Sequence, residues 1–146
     1  MQYKGEVTLT FRTPYGIVYS YTEHNGGTAN LQLAFANMLC GLSTRQFIPQ
    51  TIRGGFGTAK ITGRNRRQGS NPDYYVQFNA IVPIDGDAQN MLTGYTYNLY
   101  GEDNIQLASF TSNATLSQTI IDQLSTTQEG LQLNISWKMY LGLDLQ

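Results

Sequence analysis

The chain has 146 residues, 40% of them hydrophobic and only 13% charged, with a net charge of -1, where a charged share of about 25% is usual. Asn, Gln, Ser and Thr fill the gap with 48 residues. This balance excludes a disordered chain, which needs low hydrophobicity and high net charge. It gives no global attraction to nucleic acid or membrane, and the single cysteine, Cys40, excludes an internal disulfide framework.

The length fits one domain over 1–146 with a core of its own. Residues 5–12, GEVTLTFR, alternate, with Val7, Leu9 and Phe11 on one side and Glu6, Thr8 and Thr10 on the other. The pattern is that of a half-buried strand. The turn residues TPYG and a second strand over 17–22 complete an N-terminal hairpin.

The stretch HNGG then breaks the strand, and a helix is predicted over about 28–40. Thr28 stands where a hydroxyl cap belongs, and Gly41 where a left-handed terminator belongs. Leu31, Phe35, Met38 and Leu39 share one helical face. Burying all four would contribute roughly 6–12 kcal/mol before entropy is subtracted. The expected role of this helix is to plug the open end of a β-structure, with a docking helix for a partner as the alternative.

Residues 44–72 mix short β-like pieces with Gly and Pro; a strand is expected near 57–62, followed by a polar loop at 63–73. Alternating strands follow at 73–84, 91–100 and 105–110, separated by the turns DGDAQN and GEDN. Residues 115–130 mix β-branched and polar residues and are assigned to no element. In the last strand, Leu131, Leu133, Ile135, Trp137, Met139 and Leu141 share a face, which fixes the pleat. Regular alternation argues against a parallel sheet, whose strands are usually apolar on both faces. The expected fold is mainly β: an antiparallel, jelly-roll-like β-sandwich with one α-helix at about 28–40.

The sequence offers little for catalysis. His24, the only histidine, lies beside Asn and Gly in a turn-forming stretch. One His and one Cys do not supply a typical zinc site. Asp85 and Asp87 alternate as in calcium loops, but Asn90 and Thr96 replace the Gly and Glu that such a loop needs. RGGFGT (53–58) lacks the phosphate-binding lysine. No enzyme activity, cofactor or metal is expected. The sequons NAT (113–115) and NIS (134–136) are read as chance in a chain without a visible signal peptide. No window approaches ~18 apolar residues, so no membrane-spanning helix is expected.

Five of the nine basic residues, Arg53, Lys60, Arg64, Arg66 and Arg67, fall between 53 and 67. They form the candidate partner-contact loop. Few aromatics accompany them and the acidic remainder cancels their charge, so the pattern fits a solvated hairpin tip better than nucleic acid; contact with an acidic patch on a neighbouring subunit is the third reading. Ten tyrosines favour protein or sugar interfaces where they are exposed.

Three groups of residues carry a resemblance. His24, Asn25, Gly27, Thr28, Leu31, Leu39 and Gly41 form the first; Tyr97, Leu99, Tyr100, Leu107 and Ala108 the second; Gly130, Leu131, Leu133, Ile135 and Trp137 the third. Their order and spacing resemble small virion proteins of tailed bacteriophages. That family shows an N-terminal hairpin, an hN-x-GT-x-x-L…L-x-G segment, a late hairpin and a final L-x-L-x-W strand. Where that family has IGLY, this chain has YNLY (97–100). The resemblance implies a non-enzymatic structural role on a phage head or tail, made in the host cytoplasm and found in the virion. Other virion proteins and further copies of the chain are the implied partners. The alternative from the residues themselves is a receptor- or glycan-binding module using exposed tyrosines.

Overall fold

The computed structural model describes residues 4–69, 74–126 and 129–140. Eight strands make up the frame: β1 (Lys4–Thr13), β2 (Gly16–Asn25), β3 (Thr51–Gly54), β4 (Gly57–Gln68), β5 (Tyr74–Val82), β6 (Thr93–Tyr100), β7 (Gln106–Asn113) and β8 (Gln132–Tyr140). Two helices, α1 (Ala29–Leu39) and α2 (Gln118–Thr126), and two 3-10 turns, Arg45–Phe47 and Ala88–Leu92, complete it. All strand pairs are antiparallel, in the order β2-β1-β8-β5-β4-β3-β6-β7.

The alternation of the two terminal segments sets the core. β8 lies between β1 and β5, so Trp137 faces Val7 on one side and Phe78 on the other. Leu133, Ile135, Trp137 and Met139 are all buried, as are Val7, Leu9 and Phe11; Leu141, read on the same face, lies outside the described residues. The outward residues pair through hydroxyls and amides rather than charges. Thr8 bonds Thr22 at 2.8 Å, Thr96 bonds Thr111 at 3.0 Å, and Gln77 Nε2 donates to Ser136 Oγ at 3.0 Å. Cross-strand hydroxyl pairs of this kind stabilise a sheet face, which accounts for part of the threonine content.

The sheet is nearly closed. Its outermost strands, β2 and β7, approach each other where Asn25 Nδ2 donates to Ser109 O at 3.1 Å and Gly27 bridges Ala108. The N–H of Thr28 adds a bond to Leu107 O at 3.0 Å.

Three expectations need correction. First, the HNGG stretch does not end β2 at Thr22, because His24 pairs with Glu6 and Asn25 with Gly5. Second, the polar run expected as a loop at 63–73 is strand through Gln68, and its residues 70–73 lie outside the described residues. Residues 64–68 pair with 74–78, and the ladder to β5 overrides the polar composition. Third, the described residues hold two helices instead of one. Residues 118–126 are β-branched in part, but Ser117 Oγ accepts the Ile120 N–H at 3.3 Å and Leu124 is buried at 2% exposure. A cap and one core contact outweigh weak propensity.

The predicted helix forms at Ala29–Leu39, and its end is as read. Gly41 has φ 71, with Gly41 N–H bonded to Met38 O and Leu42 N–H to Asn37 O, a Schellman closure. Its start differs. The Thr28 hydroxyl donates to Gln106 O at 2.7 Å and makes no bond to the helix, so it ties α1 to the start of β7. Its buried face is also shorter. Leu31 is buried and Phe35 packs against the core, while Met38 and Leu39 are 52% and 78% exposed. Two side chains rather than four plug the rim, roughly halving the stabilisation to about 3–6 kcal/mol.

Candidate interaction surface

The exposed part of α1 is the starting point. No Asp, Glu, Lys or Arg occurs from His24 to Thr44, so the helix has no charged solvent face. Leu33, Met38, Leu39 and Leu42 are each at least half exposed, and Ile48 beyond the 3-10 turn is 41% exposed. A helix that is apolar on more than one face is one that other surfaces cover.

Beside this helix runs a groove of about 400 Å³. Leu31, Phe35 and Met38 form one wall, Phe47 and Ile48 a second, and Val76 and Phe78 of β5 the floor. The groove exists because β4 and β5 extend past the packed core. Beyond the bulge at Ile61/Gly63, Arg64 sits opposite Phe78 and Arg66 opposite Val76, so both arginines lie on the core-facing side of the sheet. Arg64 is held by Nε donation to Pro49 O at 2.9 Å and by Nη2 donation to Gln50 Oε1 at 3.3 Å. Arg66 is exposed and has no hydrogen-bond or ion-pair partner among the described residues. No carboxylate lines the groove.

The five basic residues singled out in the sequence therefore do not form one loop. Arg64 and Arg66 line the groove. Arg67 projects from the opposite face of β4, across from Tyr75. Lys60 is exposed opposite Thr51. Arg53 is used within the fold: Nη1 donates to Asn104 Oδ1 at 2.9 Å, Nη2 to Asp103 O at 2.8 Å, and the guanidinium lies 4.2 Å from the Tyr100 ring centroid.

The tyrosines divide just as clearly. Tyr97 is fully buried, with its hydroxyl donating to Met91 O at 2.6 Å. Tyr95 donates to Asp85 Oδ2 at 2.9 Å, and burial followed by this bond and the Asp85 charge pushes its pKa up to about 12. Burial raises that of Tyr97 further, with the charges of Tyr95 and Asp85 adding to it. Burial and then the bond to Glu23 raise that of Tyr21. Tyr15, at the β1–β2 turn, is by contrast 98% exposed. Sequence reasoning missed it because a turn residue gives no periodic signal. It also missed the Phe47–Ile48 wall, which lies in the irregular stretch before β3.

A second depression, about 320 Å³, crosses the outer face of β1, β8, β5 and β4. Thr10, Arg12, Asn79, Asn134 and Ser136 line it, with no aromatic residue. His24 stands alone on β2 opposite Glu6, and no group of three potential metal ligands occurs among the described residues. No helix of the described residues is long and apolar enough to cross a membrane. No known protein family, curated protein or solved structure matches the chain.

Proposed function

We propose that this protein is a structural component of a tailed-bacteriophage particle, working as an assembly part through protein–protein contacts rather than as an enzyme. The observation that carries the assembly reading is the uncharged helix α1, whose Met38, Leu39 and Leu42 stand in solvent beside an apolar groove. The phage reading rests on the resemblance, and residues of its first two motif groups meet in space: Gly27 bridges Ala108, and the Thr28 hydroxyl donates to Leu107 O at 3.1 Å, at the seam of the sheet. We read the sheet as a flattened, sandwich-like body, because β4 pairs with β3 through residues 57–60 and with β5 through 61–68, turning from one layer to the other at its bulge.

Sedimentation velocity at high micromolar concentration tests the assembly reading. Oligomers are expected; a strict monomer that also binds no virion component overturns it. The glycan-binding alternative draws on the amide- and hydroxyl-lined depression at Thr10, Asn79 and Asn134. A glycan array separates the two, since sugar-competable binding lost in Asn134→Ala would favour recognition over assembly.

A further inference from the structure

We propose that two copies of this chain pair antiparallel along the open edge of β2, continuing one sheet into the other about a two-fold axis at Ser20. The proposal rests on the assembly reading and names a second copy as the partner.

The sheet has two outer strands, and they are not equally open. Along β7 the seam occupies the edge groups. Gln106 O accepts the Thr28 hydroxyl at 2.7 Å and Asn30 Nδ2 at 3.0 Å, Leu107 O accepts the Thr28 N–H at 3.0 Å, and Ser109 O accepts Asn25 Nδ2 at 3.1 Å. The Asn113 N–H meets the Tyr21 hydroxyl. Along β2, by contrast, the backbone from Ile17 to His24 bonds only to β1 among the described residues. Alternate residues of an outer strand direct N–H and C=O away from their neighbour, where another strand can pair with them. The helix α2 follows β7 and leads toward Gly130, which packs on Pro14 of the β1–β2 turn, so it covers β2 at its turn end. Ser20 and Thr22, farther along, are exposed.

Nothing in the strand guards this edge. Outer strands are usually blunted by lysines, other charges or proline. From Thr13 to Thr22 the chain carries no charged residue, and its one proline, Pro14, lies in the turn. The residues Ile17, Val18, Tyr19, Tyr21 and Thr22 are β-branched or aromatic, the types that strands favour. The seam at Asn25 and the bulge at Val18 bound the open stretch.

The stretch is also complementary to itself. A two-fold axis at Ser20 sets Ser20 against Ser20, Tyr19 against Tyr21 and Val18 against Thr22. Tyr19 and Tyr21 lie across from Phe11 and Leu9 on the inward face, while Ser20 and Thr22 lie across from Thr10 and Thr8 on the outward one. Like face therefore continues into like face. Aromatic and β-branched cross-strand pairs are favourable, and this register opposes no like charges. The contact is isologous, so it closes at two copies.

Sedimentation velocity and cysteine cross-linking test this. Wild-type protein is expected to form dimers at high micromolar concentration. Ser20→Lys, which sets lysine against lysine on an exposed face, should associate at least tenfold more weakly. In a Cys40→Ser background, Ser20→Cys should give covalent dimers on mild oxidation, because residues directly opposite in an antiparallel pair stand within disulfide reach, at about 4.5–5.5 Å between Cα atoms. Thr22→Cys should not, since its two copies would lie about 14 Å apart along the strands. A Ser20→Lys protein that assembles like wild type overturns the edge pairing and leaves the assembly reading in place, as does cross-linking at Thr22 that equals or exceeds that at Ser20. A monomeric wild type overturns the pairing, and with no virion component bound it overturns the assembly reading too. Thermal melting by circular dichroism establishes that the variants fold; if Ser20→Lys does not, the cysteine variants decide.

Discussion

Val7 of β1 lies directly opposite Trp137 of β8, and neither side chain reaches solvent. The first and last described strands thus share one interior, while the sheet closes elsewhere, at the seam between β2 and β7. Trp137→Ala removes the largest fully buried side chain and should cost about 3–5 kcal/mol. Thr8→Ala, one residue along on the outer face, should cost less than about 1 kcal/mol. Urea denaturation of the two variants measures both, and similar costs would contradict the inward placement of Trp137.

Gly101 offers a different kind of test. A Cβ there would collide with the backbone oxygen of Gln46, and that oxygen cannot yield freely because it accepts the Glu102 N–H at 3.0 Å. Gly101→Ala should therefore destabilise by about 1–3 kcal/mol, as overpacking does, although the position is a turn. A melting temperature equal to wild type would show that the turn and the Arg45–Phe47 segment are not docked as described.

Alkaline pH probes the buried tyrosines. The Tyr95 hydroxyl has its pKa raised from 10.0 to about 12 by burial and by Asp85, so the folded state holds a proton that the unfolded chain releases. Stability from this group is fully present below pH 10 and is lost as pH rises toward 12. Unfolding free energy should be nearly flat with respect to Tyr95 from pH 7 to 9 and fall above pH 10. Asp85→Asn should lower the Tyr95 midpoint, read as tyrosinate absorbance. An unchanged titration in Asp85→Asn would remove Asp85 as a partner of that hydroxyl.

How much of this was legible in the sequence follows from the range of the forces involved. The pleat of β1 and β8 was readable because alternation is local and one buried face fixes it. Gly41 was readable because a left-handed helix terminus selects glycine. The strand identity of residues 64–68 was not, since Arg64, Asn65, Arg66 and Arg67 are extended only because β5 pairs with them. The α2 helix was hidden for the same reason: Leu124 gains its burial from a distant contact. The groove was the least legible feature. It joins α1, the segment before β3, and the β4–β5 extension, which only the folded chain brings together.

The last prediction separates the two faces of α1. Leu31 is 6% exposed within the core cluster, while Leu39, two turns on, is 78% exposed. Leu31→Ala should cost about 2–4 kcal/mol through lost burial and a cavity. Leu39→Ser should leave unfolding free energy within about 0.5 kcal/mol of wild type and weaken association, because it makes polar the apolar surface beside the groove. Denaturation gives the first quantity and sedimentation the second. If Leu39→Ser destabilises the monomer as much as Leu31→Ala, then the distal turns of α1 are packed on the core and no apolar face is left for a partner.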